Sequence, residues 1–294
     1  MNDFIVATVS TSDLSADYMK EHNVPFISYT YSIDEEILVD DCTEESRINL
    51  YKAMREGKMP STSQISKFAY YDFFKNLLET GKDVIFVDMS RAISNSIANA
   101  ESAMEDILPK YPNQKFHFID SFCITAPLGL LVKQLVLLKE EGKSFEEVVS
   151  WGENHKKEYI HRFMVDDLQW LRKGGRLSNA SAMVGTLLSI KPLLYVTNEG
   201  KLVAFSKVHG RKKCLHALVE SMKDDLAEYS ALEEIAIIQA DDYEDALNFR
   251  ELIKETYPEL ENANITINTL GPVIAAHVGP GFMALTYHGT QRVM

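Results

Sequence analysis

Hydrophobic positions along this chain alternate between two rhythms. Short unbroken runs such as FIVATV and DVIFVDM read as strands buried on both faces. Between them the apolar residues recur every three or four positions, the spacing of one helix face. On this basis strands are expected at 4–9, 25–31, 37–40, 83–89, 115–120, 162–166, 193–197, 202–206, 234–239, 264–268 and 282–287. Helices are expected at 43–56, 68–80, 94–108, 126–141, 144–159, 214–229 and 243–257. Local chemistry marks several ends. Thr43 caps a helix that Gly57 closes, Ser94 is placed to cap the next helix after 83–89, and Ser144 with Glu147 makes a capping box. Residues 60–66, PSTSQIS, read as a hydroxyl-rich loop, and Asn198-Glu199-Gly200 as a hairpin turn.

One stretch departs from both rhythms. In 168–197, LQWLRKGGRLSNASAMVGTLLSIKPLLYVT, a basic glycine-bearing loop (Lys173-Gly174-Gly175-Arg176) leads to a cap at Ser178 or Asn179. An almost wholly apolar helix over 180–190 then runs up to Lys191-Pro192. A helix apolar on all sides is buried on all sides. It is either a core helix between two layers or a wall that faces an apolar ligand.

The first half repeats strand, crossover helix, strand, which implies a largely parallel sheet covered on both faces. The second half is mixed α+β. A two-lobed α/β protein follows, with an N-terminal lobe over 1–160 and a C-terminal lobe over 161–294, the boundary lying near 158–161. The net charge of −13 over 294 residues excludes a general nucleic-acid binder. Cys42, Cys123 and Cys214 are far apart and odd in number, which suggests neither a disulfide framework nor a zinc site. No secretory leader and no apolar run long enough to span a membrane are apparent, so a cytoplasmic location is expected, with transient membrane contact left open.

Candidate chemistry sits at strand ends. Ser10, Thr11, Ser12, Ser90, Ser94 and Ser121 all follow predicted strands, where open α/β sheets bind ligands and helix starts favour anions. The first lobe therefore looks built to hold a small negative group. A hydrolase or acyltransferase reading would make Ser94 the nucleophile, His277 the base and Asp120 its orienter, but no G-x-S-x-G elbow surrounds Ser94. A nucleotide or phosphate binder could use 173–176 and the basic cluster 209–213, yet neither glycine-rich phosphate loop is present. A carrier of a different amphiphile is a further alternative.

Several segments taken together resemble the DegV family, the fatty-acid-binding (FakB-type) subunits of bacterial fatty acid kinase, over roughly 3–287. The run 167–178, DLQWLRKGGRLS, is similar to DLxYLxKGGRIS, and Leu188-Ser189-Ile190-Lys191-Pro192 to LxIKPI. His209-Gly210-Arg211-Lys212-Lys213 is similar to RGRKK, and 271–281, GPVIAAHVGPG, to GPVIxxHxGPG. Thr62-Ser63-Gln64 stands where the family has TSQP, with Ile65 for the proline. SRAISNSIANA at 90–100 stands for SSxLSGTYxxA, with Arg91 and Asn95 substituted, and Val9 replaces the usual acidic residue before Ser10-Thr11. Asn95 could supply the left-handed backbone of the glycine it replaces.

The resemblance implies a two-lobed DegV-like fold with an acyl tunnel between the lobes and no catalysis of its own. Thr62 and Ser94 would contact the carboxylate of a long-chain fatty acid, with Ser63 and Asn95 beside them and His277 close by. An ATP-dependent kinase subunit would phosphorylate the bound acid to an acyl phosphate for phospholipid synthesis. No metal or cofactor beyond the acid is implied. Met183, Leu187 and Ile190 on the apolar helix are inferred to line the tunnel, and Arg176, Arg211 and Lys212 to form the face that meets the kinase.

Overall fold

The computed structural model describes residues 4–176, 190–223, 234–289 and 292. Its apolar runs form the centres of two sheets. β1 (Phe4–Val9) and β6 (Asp83–Asp88) lie at the middle of a four-stranded sheet with β2 (Phe26–Ile27) and β7 (Phe116–Asp120) outside them. The order is β2-β1-β6-β7 and every pairing is parallel. All positions of β6 are buried, as a strand covered on both faces requires.

The second sheet has the order β10-β9-β8-β13-β11-β12, built from β8 (Tyr159–Met164), β9 (Ile190–Val196), β10 (Leu202–His209), β11 (Ile235–Gln239), β12 (Ile265–Thr269) and β13 (Met283–His288). Only β11 and β12 pair in parallel, so this is the mixed-sheet lobe beside the parallel one. A third sheet, β4-β3-β5, is formed by a hairpin of β3 (Thr30–Ile33) and β4 (Glu36–Val39) joined by β5 (Ser61–Ser63).

The helix between the two main sheets is α5 (Thr125–Glu140). It touches β1 of one sheet and β8 and β13 of the other, and buries Leu128, Leu131, Val132 and Leu135. Its sequence, TAPLGLLVKQLVLLKE, is apolar around most of its circumference, which suits a helix sandwiched between two layers. The stretch expected to be such a helix, 180–190, lies outside the described residues except for Ile190, which opens β9. Pro192 sits inside that strand. β8 pairs only with 193–195, so the proline's missing N–H costs no bond on that side.

Other expectations shift for local reasons. The loop expected at 60–66 contains β5, because Ser61, Thr62 and Ser63 pair with Ser32, Tyr31 and Thr30. The helix expected from 214 begins at Arg211 as α8 (Arg211–Glu220), so Arg211, Lys212 and Lys213 form its first turn rather than a loop before it. The capping box at Ser144 holds, but its helix, α6 (Phe145–His155), ends early and β8 starts at Tyr159.

Long side chains tie the two halves together. Arg47, on α2 (Glu44–Arg55), bonds the carbonyls of Thr269 at 2.9 Å and Asp13 at 3.3 Å. Tyr51 of the same helix bonds the carbonyl of Leu270 at 2.9 Å. These contacts dock the short helix α10 (Pro272–Val278), late in the chain, against α2, β3 and β5 near its start.

Candidate functional site

Docking α10 against β5 creates a cavity of about 180 Å³ whose lining includes Tyr29, Thr62, Ser94, Arg176, Ile274 and His277. Strand alternation aims Thr62 inward with its register partner Tyr31. Its hydroxyl lies 2.8 Å from His277 Nε2. Ser63 borders the cavity, but alternation puts its side chain on the opposite, exposed face, where Ser61 bonds Ser32 at 2.8 Å.

Ser94 is buried in the turn after β6. Its Oγ accepts the Ser96 N–H at 3.2 Å, leaving its own proton for the cavity. Helix α4 (Ser96–Ile107) has Asn95 at its N-cap with no side-chain cap bond, so the expected capping role of Ser94 is only partly met. Asn95 is exposed and outside the cavity lining, and its φ of −78° needs no left-handed backbone.

His277 stands in the last turn of α10. Burial, then the nearby Arg176 charge, push its pKa down to about 4, so the ring is neutral at physiological pH in the unliganded protein. Its Nδ1 has no hydrogen-bond partner and packs against Gly174. A Cβ built on Gly174 would lie 2.2 Å from that nitrogen. The two adjacent glycines thus serve different ends. Gly175 has φ +72° and open space around it, so its backbone requires glycine, whereas Gly174 has ordinary helical φ and is small to admit the imidazole.

The cation of the site is Arg176. It donates to the carbonyls of Gly174 at 2.6 Å and Ile93 at 3.3 Å, and has no carboxylate partner among the described residues. Sequence reasoning placed it on an outward face; the loop geometry turns it into the cavity instead. Tyr29 was also missed. Its buried hydroxyl, beside those of Ser94, Ser96 and Tyr70, is held protonated by burial and is a further donor. A strand reading of 25–31 carried no signal for that role.

The remaining strand-end hydroxyls are not at this site. Ser10 accepts the Tyr29 N–H at 3.1 Å, Ser90 donates to Gly200 O at 2.9 Å, and Ser121 accepts the Cys123 N–H at 3.0 Å. Local backbone demand consumes them. Thr11 and Ser12 are buried without partners, and Ser12 lines a separate cavity of about 200 Å³ with Asp13, Arg47 and Asn268. The hydrolase triad does not assemble. His277 Nε2 faces Thr62, Ser94 faces Ser96, and Asp120 is taken by Arg91 at 2.7 Å and the Phe122 N–H at 3.1 Å.

The residues assigned to a partner face diverge. Arg211 is enclosed by Asp166, Asp242 and Asp245 and donates to Gly281 O at 2.6 Å, tying the start of α8 to the glycine loop after α10. Its charge is spent within the fold. Lys212 is exposed on the rim of a groove of about 690 Å³ between α8 and α9 (Tyr243–Thr256), far better placed than Arg211 for an external contact. Met183 and Leu187 lie outside the described residues, and the side chain of Ile190 does too. No group of side chains able to hold a metal ion and no helix long and apolar enough to cross a membrane occurs among the described residues.

A family model described as an uncharacterised protein of the DegV family matches residues 4–289. A DegV domain-containing protein of Clostridium perfringens is 34% identical over 293 residues, covering 99% of both chains. Among solved structures, DegV of Bacillus subtilis, a fatty acid binding protein, aligns with a TM-score of 0.84 and 26% identity over 99% of this chain and 100% of that one. A fatty acid binding DegV family protein of Streptococcus agalactiae aligns with a TM-score of 0.84 and 27% identity over 99% and 100%.

Proposed function

The chain belongs to the DegV family, and from that premise we propose that its inter-lobe cavity holds the carboxylate of a long-chain fatty acid. The observation that carries this reading is the convergence of Arg176, a cation without a carboxylate partner among the described residues, with the hydroxyls of Thr62, Ser94 and Tyr29 and with His277. A carboxylate accepts several hydrogen bonds and donates none, so hydroxyl donors and a guanidinium match it. If Nε2–H of neutral His277 donates to Thr62 Oγ1, the threonine proton is freed for the ligand. A bound carboxylate would also offset the charge of Arg176 and raise the His277 pKa from its depressed value.

The cavity has room for the headgroup end of such a ligand. The acyl chain would extend along the apolar segment 180–190, with Met183, Leu187 and Ile190 in its wall. Each buried methylene contributes about 0.8 kcal/mol, so a long chain supplies on the order of 10 kcal/mol before association costs. Affinity then comes from the chain, and the polar groups set its orientation.

The protein acts as a cytoplasmic carrier without a cofactor of its own and presents the acid to an ATP-dependent kinase subunit for acyl phosphate formation. Lys212 contributes to that contact. Native mass spectrometry of the purified protein, followed by solvent extraction, tests the binding reading. A mass excess matching a long-chain carboxylic acid, reduced in the Arg176→Ala variant, is expected. A bare protein that takes up no added fatty acid would refute it. Adding the kinase subunit and ATP tests presentation separately, since binding without acyl phosphate formation would overturn that part alone.

A further inference from the structure

The roof of the headgroup cavity is the β4-β3-β5 sheet, and its other face is unusual. Five of the seven large exposed apolar side chains among the described residues, Ile37, Val39, Ile48, Met59 and Phe68, come from segment 37–68 that builds and flanks this sheet. Scattered surface apolar residues need no explanation, but clustering in one segment does. Ile37 and Val39 are the most telling, at 75% and 55% exposed.

Both lie on β4, the edge strand of the sheet. The Asp40 N–H bonds to Tyr29 O at 3.0 Å, which sets the phase of the ladder. Residues 36, 38 and 40 therefore direct their backbone groups at β3, and Ile37 and Val39, in between, direct theirs to the outer edge. No strand pairs with that edge among the described residues. It thus offers two backbone N–H and two C=O groups, each flanked by an exposed β-branched side chain. Natural sheets usually guard such an edge with lysine or proline on the strand, and β4 carries neither.

The rim is acidic. Asp34, Glu35, Glu36, Asp41, Glu44 and Glu45 are all exposed, and the one basic side chain paired among them is Lys58, 3.1 Å from Asp34. Like charge opposes pairing of this edge with a second copy of the chain or with an anionic lipid surface. It favours a cationic strand. We propose that the β4 edge is a protein-docking site that takes an extended, lysine- or arginine-rich segment of a partner as a fourth strand. Because β5 of the same sheet carries Thr62, such a partner would be seated on the roof of the headgroup cavity. The proposal does not depend on what the cavity holds.

The test uses the intact protein and a short end-capped peptide in which lysine and threonine alternate with valine. Amide shifts on titration should centre on Ile37 and Val39. The Ile37→Lys/Val39→Lys double variant should bind about ten-fold more weakly. Glu35→Lys/Glu36→Lys, which keeps the edge but removes most of the rim's negative charge, should reduce the salt dependence of binding. Absence of binding, shifts centred elsewhere, or equal affinity for a glutamate counterpart of the peptide overturns the proposal. A concentration-dependent dimer in sedimentation that the double variant abolishes would assign the edge to a second copy. Binding to anionic vesicles abolished by the same variant would assign it to a membrane, and either result overturns the basic-strand reading.

Discussion

Gly174→Ala isolates one contact in the headgroup site. The glycine has φ −70° and ψ −7°, which alanine adopts without strain, so the backbone should gain about 0.4–1 kcal/mol from a less flexible unfolded chain. The new Cβ would sit 2.2 Å from His277 Nδ1, where ordinary contact begins at 3.4 Å. The imidazole must retreat by about 1 Å or more. The 2.8 Å bond to Thr62 cannot survive that shift, which costs about 0.5–1.5 kcal/mol and leaves a second ring nitrogen without a partner. Stability should change by no more than about 1 kcal/mol because the terms oppose. Acid affinity should fall roughly ten-fold or more, since Thr62 and His277 are both displaced.

The assay is displacement of a fluorescent fatty acid, with thermal unfolding in parallel, on Gly174→Ala, His277→Ala and the double variant. With the ring removed, the Cβ meets empty space. The affinity loss from Gly174→Ala should then vanish, leaving only the small backbone gain. An equal loss of affinity in both backgrounds would refute the steric argument, because the effect could not then pass through the imidazole.

Thr62→Val keeps the shape of the strand residue but removes its hydroxyl; acid affinity should drop about ten-fold with little change in melting temperature. Arg176→Ala should weaken acid binding and reduce its salt dependence, while Lys212→Glu should leave acid binding intact and impair only the kinase encounter; acid loss in the lysine variant would count against that division. Arg211→Glu, by contrast, sets a fourth carboxylate among Asp166, Asp242 and Asp245 and should destabilise the fold by a few kcal/mol in urea unfolding. His277 should titrate near 4 by NMR in the acid-free protein and at higher pH once acid is bound. Because its folded pKa lies below the unfolded 6.5, its contribution to stability is complete above about pH 6.5 and is lost as pH falls toward 4. Asp13 has the opposite sign. Burial is the main cause raising its pKa to about 7, with Asp40 adding and Arg47 opposing, so its contribution is complete below the unfolded value of 3.8 and lost as pH rises through 7. Asp13→Asn should therefore flatten the decline in stability between pH 4 and 8, and an unchanged slope would contradict the assignment.

Much of this protein was legible before any coordinates. Strands such as Phe4–Val9 and Asp83–Asp88 announce themselves by unbroken apolar runs, and the Ser144–Glu147 capping box by local hydrogen bonding. Hydrophobic period and capping act over a few residues, so linear order contains them. The repeated strand–helix pattern likewise set the parallel sheet, and the family resemblance pointed to His277 through GPVIAAHVGPG and to Thr62 through Thr62-Ser63-Gln64.

The tertiary structure decided what depends on distant neighbours. PSTSQIS reads as a loop because nothing within it prefers a strand; only pairing with Thr30–Ile33 makes Ser61–Ser63 one, and that pairing turns Thr62 inward and Ser63 outward. Arg176 and Arg211 look alike in sequence, two arginines in basic glycine-bearing segments. One is drawn into a cavity with no counter-charge among the described residues, and the other is neutralised by three aspartates from other parts of the chain. Serines at strand ends cannot be sorted into ligand donors and backbone partners until the backbone groups they serve are known. Electrostatic roles are set by which charges approach within a few ångströms, and that proximity is a property of the packed chain rather than of its order.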